Sequence, residues 1–384
     1  TSEPLELRDG VLFIGYAEGA LGLGQAFRAN LTAAEAVDLP FAVYPFRVGI
    51  ESRLIGEYMP HRYDKKHPYD VNMIEVACDQ VPAVFRELDP RLLAQSYNIL
   101  CPYWELARAP EAWRGNLAHI HEIWAPNTFI ADAFAHIFDG PITVMPPAMD
   151  DTDGDHPGRA HFGMDEERFY FMFSFDYYSS PFRKNPLGVL RAFQEAFPLG
   201  DENVGLVIKS TGAPDHFPDI KAIVSDAMRQ DPRILMFDSN MARDEMLGLI
   251  RSSDAYVSLH RAEGFGLGMA EAMTFERIVI GTDYSGCTDF LTAETGYPIP
   301  YQLRPVASNE YPWSEGQSWA EPDQAAAVEV MRHVAADPSE GRRRGKFARE
   351  RIWRSYGSVP VGEAMRDRLE VIWAKRRSER LSRD

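Results

Sequence analysis

The chain has 384 residues, which is too long for one ordinary core and predicts two domains of about 150–200 residues each. Hydrophobic residues make up 45% of the chain and aromatic residues 12%, which argues against global disorder. The formal net charge of −17 disfavours a nucleic-acid-binding protein, because sequence-independent binding normally requires positive charge.

The cysteine pattern and the hydropathy pattern both predict a cytoplasmic protein. Cys78, Cys101 and Cys287 are far apart and form no CxxC or Cys/His cluster, which favours buried thiols in a reducing compartment. No signal peptide opens the sequence, and no apolar run reaches the roughly 18 residues that a membrane span needs.

Apolar runs alternate with amphipathic stretches of helical length through the first half of the chain. The run at residues 11–16 predicts a strand, a glycine-rich turn follows, and residues 27–37 predict a helix. Further strands are predicted at residues 40–46, 71–76, 98–101, 123–125 and 142–145. This alternation predicts a parallel sheet covered by helices.

A polar stretch rich in breakers predicts an interdomain linker at residues 151–161, after which the pattern restarts. Strands are predicted at residues 169–175, 204–209, 234–237, 255–259 and 278–281. Helices are predicted at residues 187–197, 220–229, 243–252, 269–275, 324–335 and 345–373. The sequence therefore predicts two doubly wound α/β domains, at residues 1–150 and 162–345, with ligands at the carboxyl ends of their strands.

Two carboxylates flank a glycine loop at residues 258–272 (SLHRAEGFGLGMAEA). Glycines let a backbone approach a ligand closely, and the N–H groups at a helix N-terminus can bind an anion. Glu263 precedes the predicted helix and can face a sugar, whereas Glu271 lies about two turns along, where it can accept ribose hydroxyls. The loop supplies four candidate residues for binding a diphosphate or a sugar hydroxyl: Gly264, Phe265, Gly266 and Leu267. Spacing alone also allows a helix cap and a solvated face.

This stretch resembles family 4 of the retaining glycosyltransferases, whose signature is two glutamates separated by seven residues. The resemblance continues through residues 278–290 (IVIGTDYSGCTDF), although residues 275–277 replace the Gly-Lys-Pro turn of many relatives. It implies the GT-B arrangement, in which two Rossmann-like domains face each other across a cleft and residues 346–384 return to the first domain.

Residues 173–193 resemble the segment that opens the donor domain of this family, where a basic residue meets the diphosphate. Lys184 is the matching residue. Ser179 stands where many relatives have an arginine, so the second charge is expected from Arg183 or Lys209. A solvent-exposed Arg-Lys pair is the alternative at residues 183–184. Lys209 closes an apolar strand, where an ammonium group without an anionic partner is costly.

Residues 15–28 resemble the glycine loop of the family's first domain, in which Gly22 and Gly24 would approach the donor phosphates. Phe27 stands where a dinucleotide-binding motif has its third glycine, which disfavours a dehydrogenase.

Residues 101–110 and 122–134 resemble a subgroup associated with bacterial polysaccharide and lipopolysaccharide assembly. The resemblance makes Glu105 a candidate sugar or acceptor contact, and Trp104 a candidate for sugar stacking or for core packing. Residues 319–322 (WAEP) also match the subgroup, and the sequence gives them no role beyond fixing a loop.

The resemblance implies a retaining hexosyltransferase that uses a nucleotide-diphosphate sugar, with mannose from GDP-mannose as the first candidate, and a glycan or lipid-linked acceptor. Glu263 would orient the sugar, and Lys184 with Lys209 would stabilise the leaving diphosphate without a metal or another cofactor. A noncatalytic sugar-nucleotide or glycan-binding module and a sugar-nucleotide epimerase of similar shape remain alternatives.

The C-terminal tail departs from the acidic average of the chain. Residues 341–384 contain 14 Lys and Arg against 6 Asp and Glu, a local balance of +8. This pattern predicts either a solvated helix face or peripheral contact with an anionic membrane.

Overall fold

A computed structural model describes residues 5–50, 53–66, 68–149, 152–200 and 203–382. The chain forms two compact units. The first comprises residues 1–104, 108–151 and 354–384, and the second comprises residues 105–107 and 152–353.

The first unit contains a parallel six-stranded sheet in the order β2-β1-β3-β4-β5-β6. Its strands are β1 (Arg8–Gly15), β2 (Phe41–Pro45), β3 (Tyr69–Glu75), β4 (Tyr97–Leu100), β5 (Glu122–Ala125) and β6 (Ile142–Val144). Its first helices are α1 (Gly22–Ala36), α2 (Val81–Glu87), α3 (Pro90–Gln95) and α4 (Thr128–Phe134). The strand order reverses between β1 and β3, which defines a topological switch point.

The second unit contains another parallel six-stranded sheet, in the order β12-β11-β10-β7-β8-β9. Its strands are β7 (Phe169–Asp176), β8 (Val204–Thr211), β9 (Ile234–Asp238), β10 (Ala255–Ser258), β11 (Ile278–Thr282) and β12 (Tyr297–Ile299). This is the order of a Rossmann fold, with the switch point between β7 and β10.

Helices cover the second sheet, and a small hairpin follows it in the chain. The helices are α5 (Pro181–Lys184), α6 (Pro186–Ala196), α7 (Pro218–Gln230), α8 (Arg243–Ser252), α9 (Leu267–Thr274), α10 (Gln324–Ala336) and α11 (Ser339–Tyr356). The antiparallel hairpin consists of β13 (Tyr301–Pro305) and β14 (Ser318–Pro322). Alternating apolar side chains of the six strands pack against α6, α7 and α10 to form the core on one face of the sheet.

The single helix predicted at residues 345–373 is instead two helices, because the chain breaks at Gly357 in an extended conformation. The second of them, α12 (Ser358–Leu381), belongs to the first unit and packs against α1. Its basic side chains pair within that unit: Arg376 and Arg380 with the buried Asp70, and Arg368 with the buried Glu122. Part of the positive charge of the tail is therefore used in internal ion pairs.

Within the residues that the structure describes, no helix combines the length and the apolar character needed to cross a membrane.

Candidate functional site

The switch point of the second sheet brings together the two loops that carry most of the predicted site. The chain leaves β7 through a turn at Tyr177–Ser179 and enters α5, and it leaves β10 through residues 259–266 and enters α9. Because β7 and β10 are neighbours and parallel, both loops emerge at the same edge of the sheet. Open α/β sheets bind ligands in the crevice that such loops form at the carboxyl ends of the strands.

Two residues with left-handed backbone bracket the short helix α5. Ser180 has φ = 60° and Asn185 has φ = 56°, which is uncommon for residues with a side chain. The Asn185 side chain accepts a hydrogen bond from the Gly188 N–H and donates one to the Leu259 carbonyl at 2.8 Å. Asn185 thus caps α6 and also ties the loop after β7 to the end of β10.

Glu263 lies at the centre of a buried group of charges. Its Oε1 atom accepts a hydrogen bond from Lys184 Nζ at 2.5 Å, and its Oε2 atom lies 3.2 Å from Arg183 Nη1. The backbone N–H of Glu263 donates to Ser285 Oγ at 2.7 Å, and its carbonyl accepts from the Gly286 N–H at 2.9 Å. Glu263 is only 6% exposed, so both its carboxylate and its backbone are fixed.

The electrostatics of this group keep Glu263 ionised. Burial alone would raise the pKa of the Glu263 carboxyl, but the charges of Lys184 and Arg183 outweigh burial and bring the pKa down to about 2. The carboxylate is therefore negative at neutral pH.

Arg183 is engaged by the protein itself. Its side chain is 4% exposed, so the solvent-exposed alternative for residues 183–184 is wrong. Its guanidinium donates to the Ala262 carbonyl at 2.8 Å and to the Ser179 carbonyl at 3.1 Å, and it also lies 3.8 Å from Glu105. With these partners Arg183 is arranged to hold Glu263. Contact between Arg183 and a diphosphate stays a prediction.

The glycine loop is shaped by packing within the protein. Gly266 has φ = +95°, and a Cβ at this position would lie 2.7 Å from Met269 Cε. A Cβ on Gly268, which the sequence did not single out, would lie 2.3 Å from the Tyr256 hydroxyl. Phe265 packs against Phe290 with ring centroids 5.3 Å apart.

The loop leads directly into α9, which begins at Leu267. The first N–H groups of a helix have no partner within the helix, so this end of α9 can bind an anion. Gly264 and Gly266 precede these N–H groups, at the end of the segment that carries Glu263.

Glu271 lies on α9 and is buried. Its Oε1 atom accepts a hydrogen bond from Arg243 Nη1 at 2.5 Å. Arg243 is the first residue of α8 and follows the carboxyl end of β9. The sequence did not identify Arg243, although its place at the start of a predicted helix after a strand of the second unit was a usable signal.

Lys209 lies near the end of β8, one strand away from the switch point. It is 3% exposed, and its ammonium donates to the Ser210 carbonyl at 2.7 Å. Burial lowers the pKa of Lys209 to about 8, although the carboxylates of Asp238 and Asp176 act in the opposite direction. The register opposite Ser174 places Lys209 on the same face of the sheet as Tyr256, the face that α9 covers. Contact between Lys209 and a diphosphate stays a prediction.

The structure gives the glycines of the first unit different surroundings. A Cβ on Gly24 would lie 2.4 Å from the Gly19 carbonyl oxygen, so the protein's own packing requires this glycine. A Cβ on Gly22 would meet open space, and Gly22 begins α1 at the switch point beside β1.

Trp104 and Glu105 are neighbours in sequence but belong to different units. Trp104 is 4% exposed, its Nε1 donates to the Arg108 carbonyl, and its ring packs against Trp113 with centroids 4.8 Å apart. These contacts favour core packing of Trp104 over sugar stacking. Glu105 accepts a hydrogen bond from the Tyr311 hydroxyl at 2.6 Å and faces Arg183.

The fold is that of the GT-B glycosyltransferases, and solved structures show the likeness over nearly the whole chain. Sucrose-phosphate synthase from Thermosynechococcus elongatus aligns with a TM-score of 0.71 at 15% identity, covering 96% of this chain and 100% of that one. HepE from Anabaena, in complex with UDP and glucose, aligns with a TM-score of 0.67 at 11% identity, covering 95% of this chain and 100% of that one. A glycosyltransferase from Rickettsia africae aligns with a TM-score of 0.66 at 12% identity, covering 95% of this chain and 99% of that one.

Part of the sequence also matches a known protein family. Residues 182–302 match the family model described as Glycosyl transferases group 1. This stretch contains Lys184, Glu263 and Glu271. A search of curated proteins found no match for the chain.

Proposed function

We propose that this protein is a retaining glycosyltransferase that binds a nucleotide-diphosphate sugar at the β7–β10 switch point of its second unit. The observation that carries the proposal is the contact between the partly buried Lys184 and the buried Glu263, which shortly precedes α9. The pair lies within the stretch that matches Glycosyl transferases group 1. A positive group, a buried negative group and a helix N-terminus close together suit transfer from a diphosphate.

Each part of the site has a role in this proposal. As the bond between the sugar and the diphosphate breaks, negative charge grows on the leaving diphosphate, and the N-terminus of α9 with Lys184 stabilises it. Positive charge builds up at the anomeric carbon, where the fixed carboxylate of Glu263 orients the ring and favours that charge. Glu271 would accept hydrogen bonds from the ribose. Attack by the acceptor on the face from which the diphosphate departs would give retention.

The donor and acceptor are proposed from the sequence resemblance. Mannose from GDP-mannose remains the first donor to test, and UDP-sugars come next because the HepE structure contains UDP and glucose. The acceptor would be a glycan or a lipid-linked sugar in bacterial surface polysaccharide synthesis, with the enzyme cytoplasmic or peripheral at the inner face of the membrane. The basic residues of the tail would make any contact with that membrane.

Transfer is proposed to need no divalent metal, because ammonium groups and helix N–H groups can neutralise a leaving diphosphate. Transfer measured in the presence of EDTA should match transfer in its absence. Complete loss that manganese or magnesium restores would contradict metal independence.

The activity itself is tested by release of nucleoside diphosphate from a panel of nucleotide sugars, with and without glycan acceptors. A thermal-shift screen of the same panel selects the donor. Release that depends on acceptor supports transfer. Binding without release would indicate a noncatalytic module, and conversion of the sugar without acceptor would indicate an epimerase.

A further inference from the structure

The β13–β14 hairpin contacts the loop that carries Glu263 through residues 319–322, the motif that was expected only to fix a loop. The Ala320 N–H donates to the Arg261 carbonyl at 3.0 Å, and the Glu321 carboxylate accepts from Arg261 at 2.7 and 3.0 Å. Arg304 of β13 also donates to Glu321 at 2.8 Å. The hairpin therefore fixes the backbone two residues before Glu263.

A second connection runs through side chains from the same hairpin region to Glu263. Tyr311 lies between β13 and β14 and donates a 2.6 Å hydrogen bond to Glu105 Oε2. The other oxygen of Glu105 lies 3.8 Å from Arg183, and Arg183 lies 3.2 Å from Glu263. In parallel, Ser180 Oγ donates to the Glu310 carbonyl at 2.8 Å, which anchors the start of α5 beside Tyr311.

The charges of this group balance only while Lys184 stays on Glu263. Two carboxylates, Glu105 and Glu263, share two cations, Arg183 and Lys184. When a diphosphate draws Lys184 away, Glu263 stays buried, and of the two cations in this group Arg183 is the one that still contacts it. A buried charge that loses a partner is strongly destabilised unless another partner is held in place.

We propose that Tyr311 and Glu105 are positioning residues that hold Arg183 on Glu263, so that Lys184 can leave Glu263 for the donor diphosphate. Arg183 then serves as the permanent partner of Glu263, and Lys184 as the exchangeable one. The proposal rests on the proposed function, because it assigns each cation a place in the same reaction.

The chemistry of each group suits this division. The planar guanidinium of Arg183 can contact two carboxylates and two carbonyls at once, whereas the flexible stem of Lys184 allows its point charge to move. Burial, with the charge of Glu105 nearby, raises the pKa of the Tyr311 hydroxyl far above its ordinary value. Tyr311 therefore remains a hydrogen-bond donor and never adds a third negative charge.

The test uses Tyr311→Phe, which removes one hydroxyl, and Glu105→Gln, which keeps the shape of the side chain but not its charge. We expect each change to lower kcat by about tenfold and the affinity for nucleoside diphosphate to stay within a factor of about two. Tyr301→Phe, in the same hairpin but partly exposed and outside the charged group, should leave kcat unchanged.

Coupling between the residues separates positioning from a general loss of stability. The double variant should be hardly slower than either single variant, because both changes release the same arginine. Tyr311→Phe should likewise have little further effect in an Arg183→Lys background. Multiplicative losses, or a normal kcat for a folded Tyr311→Phe and Glu105→Gln, would overturn the proposal. Absence of acceptor-dependent release from the unaltered protein would instead overturn the proposed function.

Discussion

The ammonium nitrogen of Lys184 lies 2.5 Å from Glu263 Oε1, although 79 positions separate the two residues in the chain. They meet because β7 and β10 flank the switch point and each residue follows one of these strands. The group assigned to the diphosphate and the group assigned to the sugar are therefore in contact with each other without a donor. Under the proposed function, a donor diphosphate would draw on the same ammonium that Glu263 contacts.

Replacing Lys184 tests the diphosphate assignment. Lys184→Met should lower kcat by about a hundredfold and weaken nucleoside diphosphate binding by about tenfold, because a charge-assisted contact to the leaving group is lost. Folding should suffer less, since Arg183 still neutralises Glu263. Lys221→Met is the matched control, because Lys221 pairs with Asp215 at the surface. Near-normal turnover of Lys184→Met would remove this lysine from the site.

Glu263→Gln tests the mechanism. The charge of Glu263 should matter most in the transition state, so kcat should fall by about a hundredfold or more while nucleoside diphosphate affinity stays within a few-fold. The variant also leaves Lys184 and Arg183 without their common anion, which should lower the free energy of unfolding by about 3–5 kcal/mol. Steady-state kinetics and melting on one preparation separate the effects. A lowered melting temperature with normal kcat would leave Glu263 a purely structural role.

The sequence predicted the fold class because its signals were local. Short apolar runs and amphipathic stretches marked the strands at residues 169–175 and 204–209 almost where β7 and β8 lie. The hairpin of β13 and β14 was missed, because residues 301–305 (YQLRP) lack an apolar alternation and are largely exposed.

The site was only partly predictable, for a related reason. Motif positions identified Lys184 and Glu263 individually, but no local pattern shows that Arg183 bonds to Glu263 or that Tyr311 reaches Glu105. Such contacts depend on which strands are neighbours and on which side chains are buried together. Gly24 differs from these residues. The resemblance assigned Gly24 to phosphate binding, and the structure shows in addition that the neighbouring backbone requires a glycine at this position.

The ribose assignment of Glu271 can be tested by changing both the protein and the ligand. Glu271→Ala should weaken nucleoside diphosphate binding by about tenfold to a hundredfold, because a charge-assisted hydrogen bond is lost. The dideoxy nucleoside diphosphate, which lacks both ribose hydroxyls, should bind the unaltered protein and the variant equally weakly. If calorimetry shows that Glu271→Ala weakens both ligands by the same factor, the carboxylate does not contact the ribose.

Arg243 provides a companion test, since it donates to Glu271 at 2.5 Å. Arg243→Met should weaken the ordinary nucleoside diphosphate by several-fold through loss of orientation of the carboxylate. In the Glu271→Ala background the same change should have no further effect. Additive losses would show that Arg243 contacts the nucleotide independently of Glu271.

Lys209 predicts a pH dependence of binding. Its folded-state pKa of about 8 means that its ammonium is charged at pH 7 and neutral well above pH 8. An anion favours the charged form, so nucleoside diphosphate affinity should be highest below pH 8 and should fall as pH rises through it. The terminal phosphate of the ligand ionises mainly at lower pH, with a pKa of about 6, and its titration affects the unaltered protein and the Lys209→Met variant alike. Lys209→Met should bind more weakly with a flatter profile, whereas parallel profiles would exclude Lys209 from the site.

Glu75 carries the last prediction, which concerns the stability of the first unit. It is the final residue of β3, lies opposite Gly15 at the switch point and is fully buried. Its Oε2 atom accepts a hydrogen bond from Asn30 at 2.9 Å, and its Oε1 atom has no hydrogen-bond partner within the described part of the chain. Burial raises the pKa of Glu75 to about 8, so folding keeps protonated a carboxyl that ionises near pH 4.5 in the unfolded chain. The folded state therefore binds more protons, and the contribution of Glu75 to stability is fully present below pH 4.5 and is lost as pH rises to 8.

Glu75→Gln resembles the protonated form in shape but cannot ionise. The variant should match the unaltered protein within about 1 kcal/mol at pH 5 and exceed it by about 2–4 kcal/mol at pH 8. His260, with a pKa lowered to about 4 by burial, and Lys209 also titrate differently on folding, but both are present in the two proteins and cancel in their difference. Melting curves between pH 5 and pH 8.5 measure that difference, and a gap that does not widen with pH would show that Glu75 is ionised in the folded protein.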